Sequence, residues 1–238
     1  AFSLFKGNEN EQPSLRPLEE KILKDFQLSR FVVCTDAGLS SHENRLFNNE
    51  GERAFITTQS IKKLKAHLKK WALDPQGWQL ETSNTLYDLS QIDIDADEEM
   101  DKLYYKRRWI KENGLEQQLI VSFSPKYRKY TQTLRERQIE RALNKIQTPV
   151  AMKKKRPNDP QRFIKQYSVT SDGELAQKDI YYLDEEAIAQ EAQYDGFYAV
   201  CTNLEDDPLE IIAVNKGRWE IESAFRIMKS ELKARPVH

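Results

Sequence analysis

The sequence contains only two cysteines among 238 residues, which excludes a disulfide-rich secreted scaffold. Cys34 and Cys201 each lie inside an apolar run, a setting typical of buried thiols in a reducing compartment. The sequence also lacks any run of about 18 apolar residues, and its first residues lack a signal-peptide pattern. We therefore expect a soluble cytoplasmic protein with no membrane partner.

Histidine and glycine are scarce, and this limits the kinds of active site that the chain can form. The three histidines are scattered, and none stands at zinc-site spacing from a cysteine or a second histidine. Glycine-rich phosphate loops and the Gly-x-Ser-x-Gly elbow are missing. The acidic run at residues 93–99 lacks the Gly and the final Glu of a calcium loop, so we interpret it as a solvated loop. No small-molecule cofactor is expected.

Charge is abundant, and its two signs are segregated along the chain. Charged residues make up 32% of the sequence, against roughly 25% in an average domain. Residues 102–165 contain 18 Lys+Arg against 5 Asp+Glu, although the whole chain has a net charge of −1. Such a segment fits either a polyanion partner or a solvated helical face with a loop, and composition favours neither.

Hydrophobic patterning predicts a layered α/β domain at the start of the chain. The run at residues 31–36 reads as a strand buried on both faces, and a second buried strand is predicted at 54–58. Helices between and after these strands favour parallel pairing. Further along, the patterns predict a helix at 98–111, a long basic helix at 127–146, and a hairpin of 162–170 with 177–183.

The last helix combines a core-facing pattern with an unusual row of polar side chains. Asp207 is its predicted N-cap and Pro208 its first residue. A core stripe is predicted at Val214, Ile221, Phe225, Met228 and Leu232. Beside that stripe lie Asn215, Arg218, Glu222 and Lys229. This row suits a site that binds a metal and a phosphate together, although an ordinary Arg–Glu pair on a solvated face has the same spacing.

Two motifs resemble DDE transposases of bacterial insertion sequences. The spacing Arg218-x3-Glu222-x6-Lys229 resembles their Tyr-x2-Arg-x3-Glu-x6-Lys signature, with Asn215 where the Tyr is expected. The run Val32-Val33-Cys34-Thr35-Asp36 resembles the strand that carries their second catalytic Asp. Taken alone, Asp36 reads as a cap or turn residue before the next helix, but two matches in the family's order favour the resemblance.

The resemblance implies a ribonuclease-H-like mixed sheet flanked by helices and lacking its first strand or strands. Residues 1–65 would form the first part of the core, 66–193 a basic inserted α+β subdomain, and 194–238 the last part with the signature helix. The first catalytic Asp of the family would lie upstream of residue 1. We therefore expect a transposase fragment that is inactive on its own, and nicking of plasmid DNA by it would contradict this.

The resemblance also implies the site and its partners. Asp36 and Glu222 would bind two Mg²⁺ or Mn²⁺ ions, which prefer oxygen ligands and support phosphoryl transfer. DNA contacts are assigned to Arg218, Lys229, Asn215 and Trp219, and to the basic loop Lys153, Lys154, Lys155 and Arg156. Trp219 could instead pack beside Ile212. The partner would be double-stranded DNA, at transposon ends and target, bound by paired subunits at the nucleoid of a bacterial cytoplasm.

Two other interpretations remain open at this stage. One is an inert domain of the same fold that only holds DNA or a partner subunit. The other is an unrelated nuclease that uses the same two-metal chemistry. A preference for defined transposon ends over any duplex would separate the transposase from that nuclease.

Overall fold

A computed structural model describes residues 11–28, 30–81, 83–147, 159–169 and 178–230, with the backbone alone at 84, 167–169, 178–179, 219, 221–222 and 224–230. The chain divides into two compact units. The first contains the described residues up to 91, Leu103–Ser122 and those from Tyr198 onward; the second contains Ile92–Lys102 and Phe123–Phe197. Residues 66–193, the predicted insertion, are thus shared between the two units.

The regular elements follow in chain order. The strands are β1 (Phe31–Thr35), β2 (Arg53–Thr58), β3 (Trp78–Leu80), β4 (Ser83–Tyr87), β5 (Tyr104–Glu112), β6 (Leu115–Phe123), β7 (Ile164–Val169), β8 (Lys178–Leu183) and β9 (Phe197–Thr202). The α-helices are α1 (Gln12–Phe26), α2 (His42–Phe47), α3 (Ala66–Leu73), α4 (Pro125–Gln147), α5 (Glu185–Ala192) and α6 (Pro208–Ser230). Short 3-10 turns lie at Ile61–Lys63, Leu89–Gln91, Asp97–Glu99 and Pro160–Phe163.

Seven strands form one mixed sheet in the order β1-β2-β9-β6-β5-β3-β4. The predicted parallel pairing is confirmed for β1 and β2, where Phe31 lies opposite Arg53. The pairs β2–β9, β3–β5 and β3–β4 are antiparallel. The protein is therefore an α/β structure with a mostly antiparallel sheet flanked by helices.

Two sequence predictions about strands need correction. Residues 98–111, predicted as a helix, include most of β5, which continues through a two-residue turn into β6. That turn has positive φ at Asn113 (51°) and Gly114 (85°), the pattern of a tight hairpin. The run at 31–36 is not buried on both faces either. Its strand β1 is the sheet edge, and Val32 is 51% exposed because one face is only partly covered.

One buried hydrophobic cluster of the first unit forms where α6 packs on the sheet. Its buried members come from β2, β6, β9 and the first turns of α6: Ile56, Ile120, Val200, Ile211 and Ile212. Asp207 caps this helix as predicted, since its Oδ1 accepts a hydrogen bond from the Leu209 N–H at 2.8 Å. The predicted core stripe is wrong at Val214, which is 53% exposed. The side of α6 that faces the sheet carries Ile211, Ile212 and Asn215.

The second unit is built on α4, which confirms the long basic helix predicted at 127–146. Strands β7 and β8 pair antiparallel, which confirms the predicted hairpin. Ala142, Phe163 and Ile164 form the buried centre, against which α5 packs through Ala187 and Ile188. The acidic run also differs from a purely solvated loop, since Asp97–Glu99 is a 3-10 turn and the Asp95 carboxylate pairs with Arg128 of α4 at 3.2 Å. Across the described residues, no helix is long and apolar enough to cross a bilayer.

Candidate functional site

Asp36 lies at the carboxyl end of β1, on a turn that its own side chain closes. Its Oδ1 accepts hydrogen bonds from the N–H groups of Gly38 (2.8 Å) and Leu39 (3.1 Å). Helix α1 holds the same loop, because the Gln12 side chain accepts from the Ser41 N–H at 2.8 Å. One carboxylate oxygen of Asp36 therefore stabilises the turn after β1, as expected for an Asp with no other function. The side chain nevertheless remains 53% exposed.

The second carboxylate oxygen of Asp36 faces Arg218 of α6. The distance from its Oδ2 to the nearer terminal nitrogen of Arg218 is 4.0 Å. Helix α6 packs against β1 and β2, and this packing leaves the Arg218 side chain only 21% exposed. Two residues singled out in separate sequence motifs are thus brought together at one edge of the sheet.

Asn215 lies one turn before Arg218, and its amide is buried rather than exposed. It is 2% exposed, its Oδ1 accepts from the Tyr198 hydroxyl at 2.7 Å, and its Nδ2 lies 3.7 Å from Cys34 Sγ. The Tyr198 hydroxyl also bonds Thr58 Oγ1 at 2.7 Å. These contacts tie α6 to β1 and β9. The DNA contact by Asn215 stays a prediction.

Sequence patterns assign no site role to Tyr198 or Thr58, and they place Thr58 only at the end of a predicted strand. The two residues meet because β2 pairs with β9, with Thr58 opposite Val200. Such a long-range pairing leaves no local signal in the sequence.

Both cysteines of the sheet have a raised thiol pKa. Burial raises the pKa of Cys34, although the nearby Arg218 and the Asn215 amide act in the opposite direction. Burial raises the pKa of Cys201 to about 11. A thiolate is the form that attacks or binds metal. The two cysteines therefore serve as packing groups here.

Some predicted site residues fall where side chains or backbone are not described. Glu222 and Lys229 lie within α6, Glu222 one helical turn beyond Arg218, but only their backbone is described. The same holds for Trp219, and Lys153, Lys154, Lys155 and Arg156 lie outside the described residues. Among the described side chains, no group of three His, Cys, Asp or Glu is arranged to hold a metal.

The described part of the site fits a metal together with a phosphate better than a metal alone. A carboxylate oxygen is the ligand that Mg²⁺ and Mn²⁺ prefer. However, Arg218 already lies beside the Asp36 Oδ2, and a cation there would meet a positive neighbour. A phosphate would relieve that repulsion, since arginine binds phosphate oxygens through paired N–H groups.

No protein-family model, curated protein or solved structure matches this chain. A functional assignment therefore depends on the two motifs and on the position of Asp36 next to Arg218.

Proposed function

We propose that this chain belongs to the catalytic core of a DDE transposase, a ribonuclease-H-like domain that cuts and joins DNA strands with divalent ions. The approach of Arg218 to Asp36 carries the proposal. One residue comes from the Arg-Glu-Lys motif and the other from the Asp motif. Nothing in composition requires these distant segments to meet. A mixed sheet with a parallel edge pair and a long helix packed on it agrees with the proposed fold.

Each residue has a distinct role in this proposal. Asp36 and Glu222 hold Mg²⁺ or Mn²⁺, which when bound would activate the attacking oxygen and stabilise the leaving one. Arg218 exchanges the Asp36 carboxylate for a DNA phosphate, and Lys229 holds a second phosphate. The buried Asn215 is a positioning residue: through Tyr198 and Cys34 it fixes the rotation of α6 that aims Arg218 at Asp36. The partner is duplex DNA at transposon ends and target, bound by paired subunits.

Manganese binding to the purified chain tests the site without requiring turnover. Asp36→Asn keeps an oxygen acceptor for the Gly38 and Leu39 N–H groups but removes the negative charge. Glu222→Gln does the same at the signature position. We expect each variant to bind Mn²⁺ at least about tenfold more weakly, because changes outside the ligand shell alone cost roughly 10–100-fold. Electron paramagnetic resonance of unbound Mn²⁺ measures this with and without a short duplex.

Glu220→Gln is the matched control, since Glu220 is an exposed carboxylate of the same helix. Unchanged Mn²⁺ affinity in both the Asp36 and the Glu222 variant would defeat the proposal. Asp36 would then be a turn residue and Arg218 its ordinary ion-pair partner. Duplex binding that persists without any effect of Mn²⁺ would favour the inert DNA-holding domain.

A further inference from the structure

Helix α4 in the second unit exposes a row of large side chains along one side. We call Tyr127, Tyr130, Leu134, Arg137 and Arg141 the α4 stripe. Their spacing of three and four residues keeps them within an arc of about 80°. Tyr130 is 59% exposed, and Tyr127 and Leu134 are each 38% exposed. An exposed cluster of large side chains is a candidate binding surface.

The cations of the stripe differ from most of the other cations of the same helix. Four of those others have acidic partners within the second unit: Lys126 with Asp101, Arg128 with Asp95, Arg135 with Asp195 and Lys145 with Asp159. Arg137 and Arg141 are exposed, and no ion pair is found for them among the described side chains. Glu136 and Glu140 lie outside the stripe, at least about 60° further round the helix. The stripe therefore presents positive charge without a carboxylate of its own.

The rings of the two tyrosines of the stripe are stacked and nearly parallel to each other. Their ring centroids are 6.1 Å apart, and the ring planes differ by only 26°. Nearly parallel exposed rings offer a surface for planar groups. Nucleobases stack on such rings regardless of sequence, and neighbouring cations hold the backbone.

The same spacing could form a seam with a second copy of the chain. Tyr127, Tyr130 and Leu134 would suit such a seam, because apolar residues at alternating spacings of three and four pack between helices. Arg137 and Arg141 would then occupy the next seam positions. Burying those guanidinium groups without acidic partners carries a large desolvation cost. The charge of the stripe therefore favours an anionic partner over self-association.

We propose that the α4 stripe binds an unpaired DNA strand. Tyr127 and Tyr130 stack on bases, Leu134 packs against sugar or base edges, and Arg137 and Arg141 pair with phosphates. The site lies in the second unit and goes beyond the proposed metal site, resting on the proposed function only for the choice of DNA over RNA.

Binding of a labelled single strand to the full chain tests this. The probe is a fluorescein-labelled oligothymidine of about 20 nucleotides, longer than the roughly 4–16 that one binding fold occupies. Anisotropy is measured in EDTA, so that the result does not depend on a metal. We expect Tyr130→Ala and the double variant Arg137→Gln/Arg141→Gln each to bind about tenfold more weakly. The double variant should also lower the salt slope by about 1.4, or roughly 0.7 per phosphate.

Two controls separate stacking and placement from general charge. Tyr130→Phe keeps the ring and should bind as the wild type does. Lys129→Gln removes an exposed cation of the same helix outside the stripe and should change affinity little. Circular dichroism melts check that the variants fold.

Three outcomes would overturn the proposal. Lys129→Gln could weaken binding as much as the arginine variants do, or Tyr130→Ala could bind like the wild type. A dimer in sedimentation velocity that the stripe variants abolish would assign the stripe to a second copy. None of these outcomes touches Mn²⁺ binding at Asp36 and Glu222, so the failure of one proposal can be told from the failure of the other.

Discussion

Lys106 of β5 is a lysine buried between two tryptophans. It is 5% exposed, and its Nζ lies 4.5 Å from the ring centroid of Trp78 and 5.2 Å from that of Trp71. The Nζ donates to the Asp74 carbonyl at 2.7 Å. Burial lowers the pKa of Lys106 to about 8, although the charge of Asp74 acts in the opposite direction. The ring faces and one carbonyl replace only part of the lost hydration.

This lowered pKa predicts a pH dependence of stability with a definite sign. Below about pH 8 the lysine is charged in both the folded and the unfolded chain, and its burial cost is fully present. As pH rises toward 10.5, the unfolded chain binds more protons, so the free energy of unfolding rises. At about 1.4 kcal/mol per pKa unit, the gain from this group is about 3 kcal/mol. Lys106→Met should lack that gain in urea denaturation from pH 7 to 11.

The control for this prediction is Lys111→Met, at an exposed lysine of the same strand. Comparison of the two variants removes the general effect of losing one lysine charge. Equal pH dependence in the wild type and in Lys106→Met would mean that the ammonium reaches water in solution.

Two glycines, one in a turn and one in a helix, predict opposite effects of replacement by Ala. Gly114 has φ +85° in the β5–β6 turn, whereas Gly217 lies in the middle of α6; at both positions an added Cβ would meet no described atom within 4 Å. Gly114→Ala should lower the free energy of unfolding by about 1–2 kcal/mol, because an L side chain disfavours this backbone region. Gly217→Ala should raise it by about 1 kcal/mol through helix propensity.

Chemical denaturation of both variants measures the two changes side by side. Since space is open at both positions, packing does not contribute and the backbone conformation decides the sign. Destabilisation by Gly217→Ala would indicate that α6 is not a regular helix around Arg218.

Elements with local signals could be predicted from the sequence. Asp207 and Pro208 mark the start of α6, and continuous basic amphipathic sequence marks α4. The helix predicted at residues 98–111 was wrong because acidic residues that favour helices precede the aromatic residues of β5. The signal that indicates a strand is Asn113-Gly114, just after this segment. These two residues form a tight hairpin turn, so the segment before them pairs with β6 as β5.

The candidate site could be predicted by residue type but not by arrangement. Asp36 was placed at a strand end from its apolar run alone. The predicted core stripe of α6 is wrong at Val214, because Ile211 and Ile212, which the stripe did not include, make the contact with the sheet. The bond from Tyr198 to Asn215 depends on which strands are neighbours, which local patterning does not contain.

Across the whole chain, much of the basic surplus is neutralised inside the second unit. The α4 cations Lys126 and Arg128 pair with Asp101 and Asp95 of the acidic run. Folding therefore brings some of the basic and acidic residues that are separate in the sequence into ion pairs. The basic loop Lys153, Lys154, Lys155 and Arg156 has four consecutive cations without an acid among them, so it remains the strongest sequence candidate for duplex contact.

Salt dependence of duplex binding tests that loop. Each phosphate that a cation neutralises contributes about −0.9 to the slope of log K against log salt on B-DNA. Replacing all four residues by Gln should therefore flatten the slope by up to about 3.6. The control removes four exposed cations of the first unit: Lys21, Lys24, Lys63 and Lys70. Anisotropy titrations of one labelled duplex at several salt concentrations give both slopes.

The two slopes distinguish a defined contact from diffuse attraction by net charge. Both variants change the whole chain from −1 to −5, so long-range repulsion of DNA grows equally in each. Counterion release is local, because only a cation held against a phosphate displaces condensed ions. A flattened slope in the loop variant alone would assign the contact to residues 153–156. Equal slopes in both variants, or an unchanged slope in the loop variant, would remove that loop from the DNA interface and leave the basic segment to internal ion pairing.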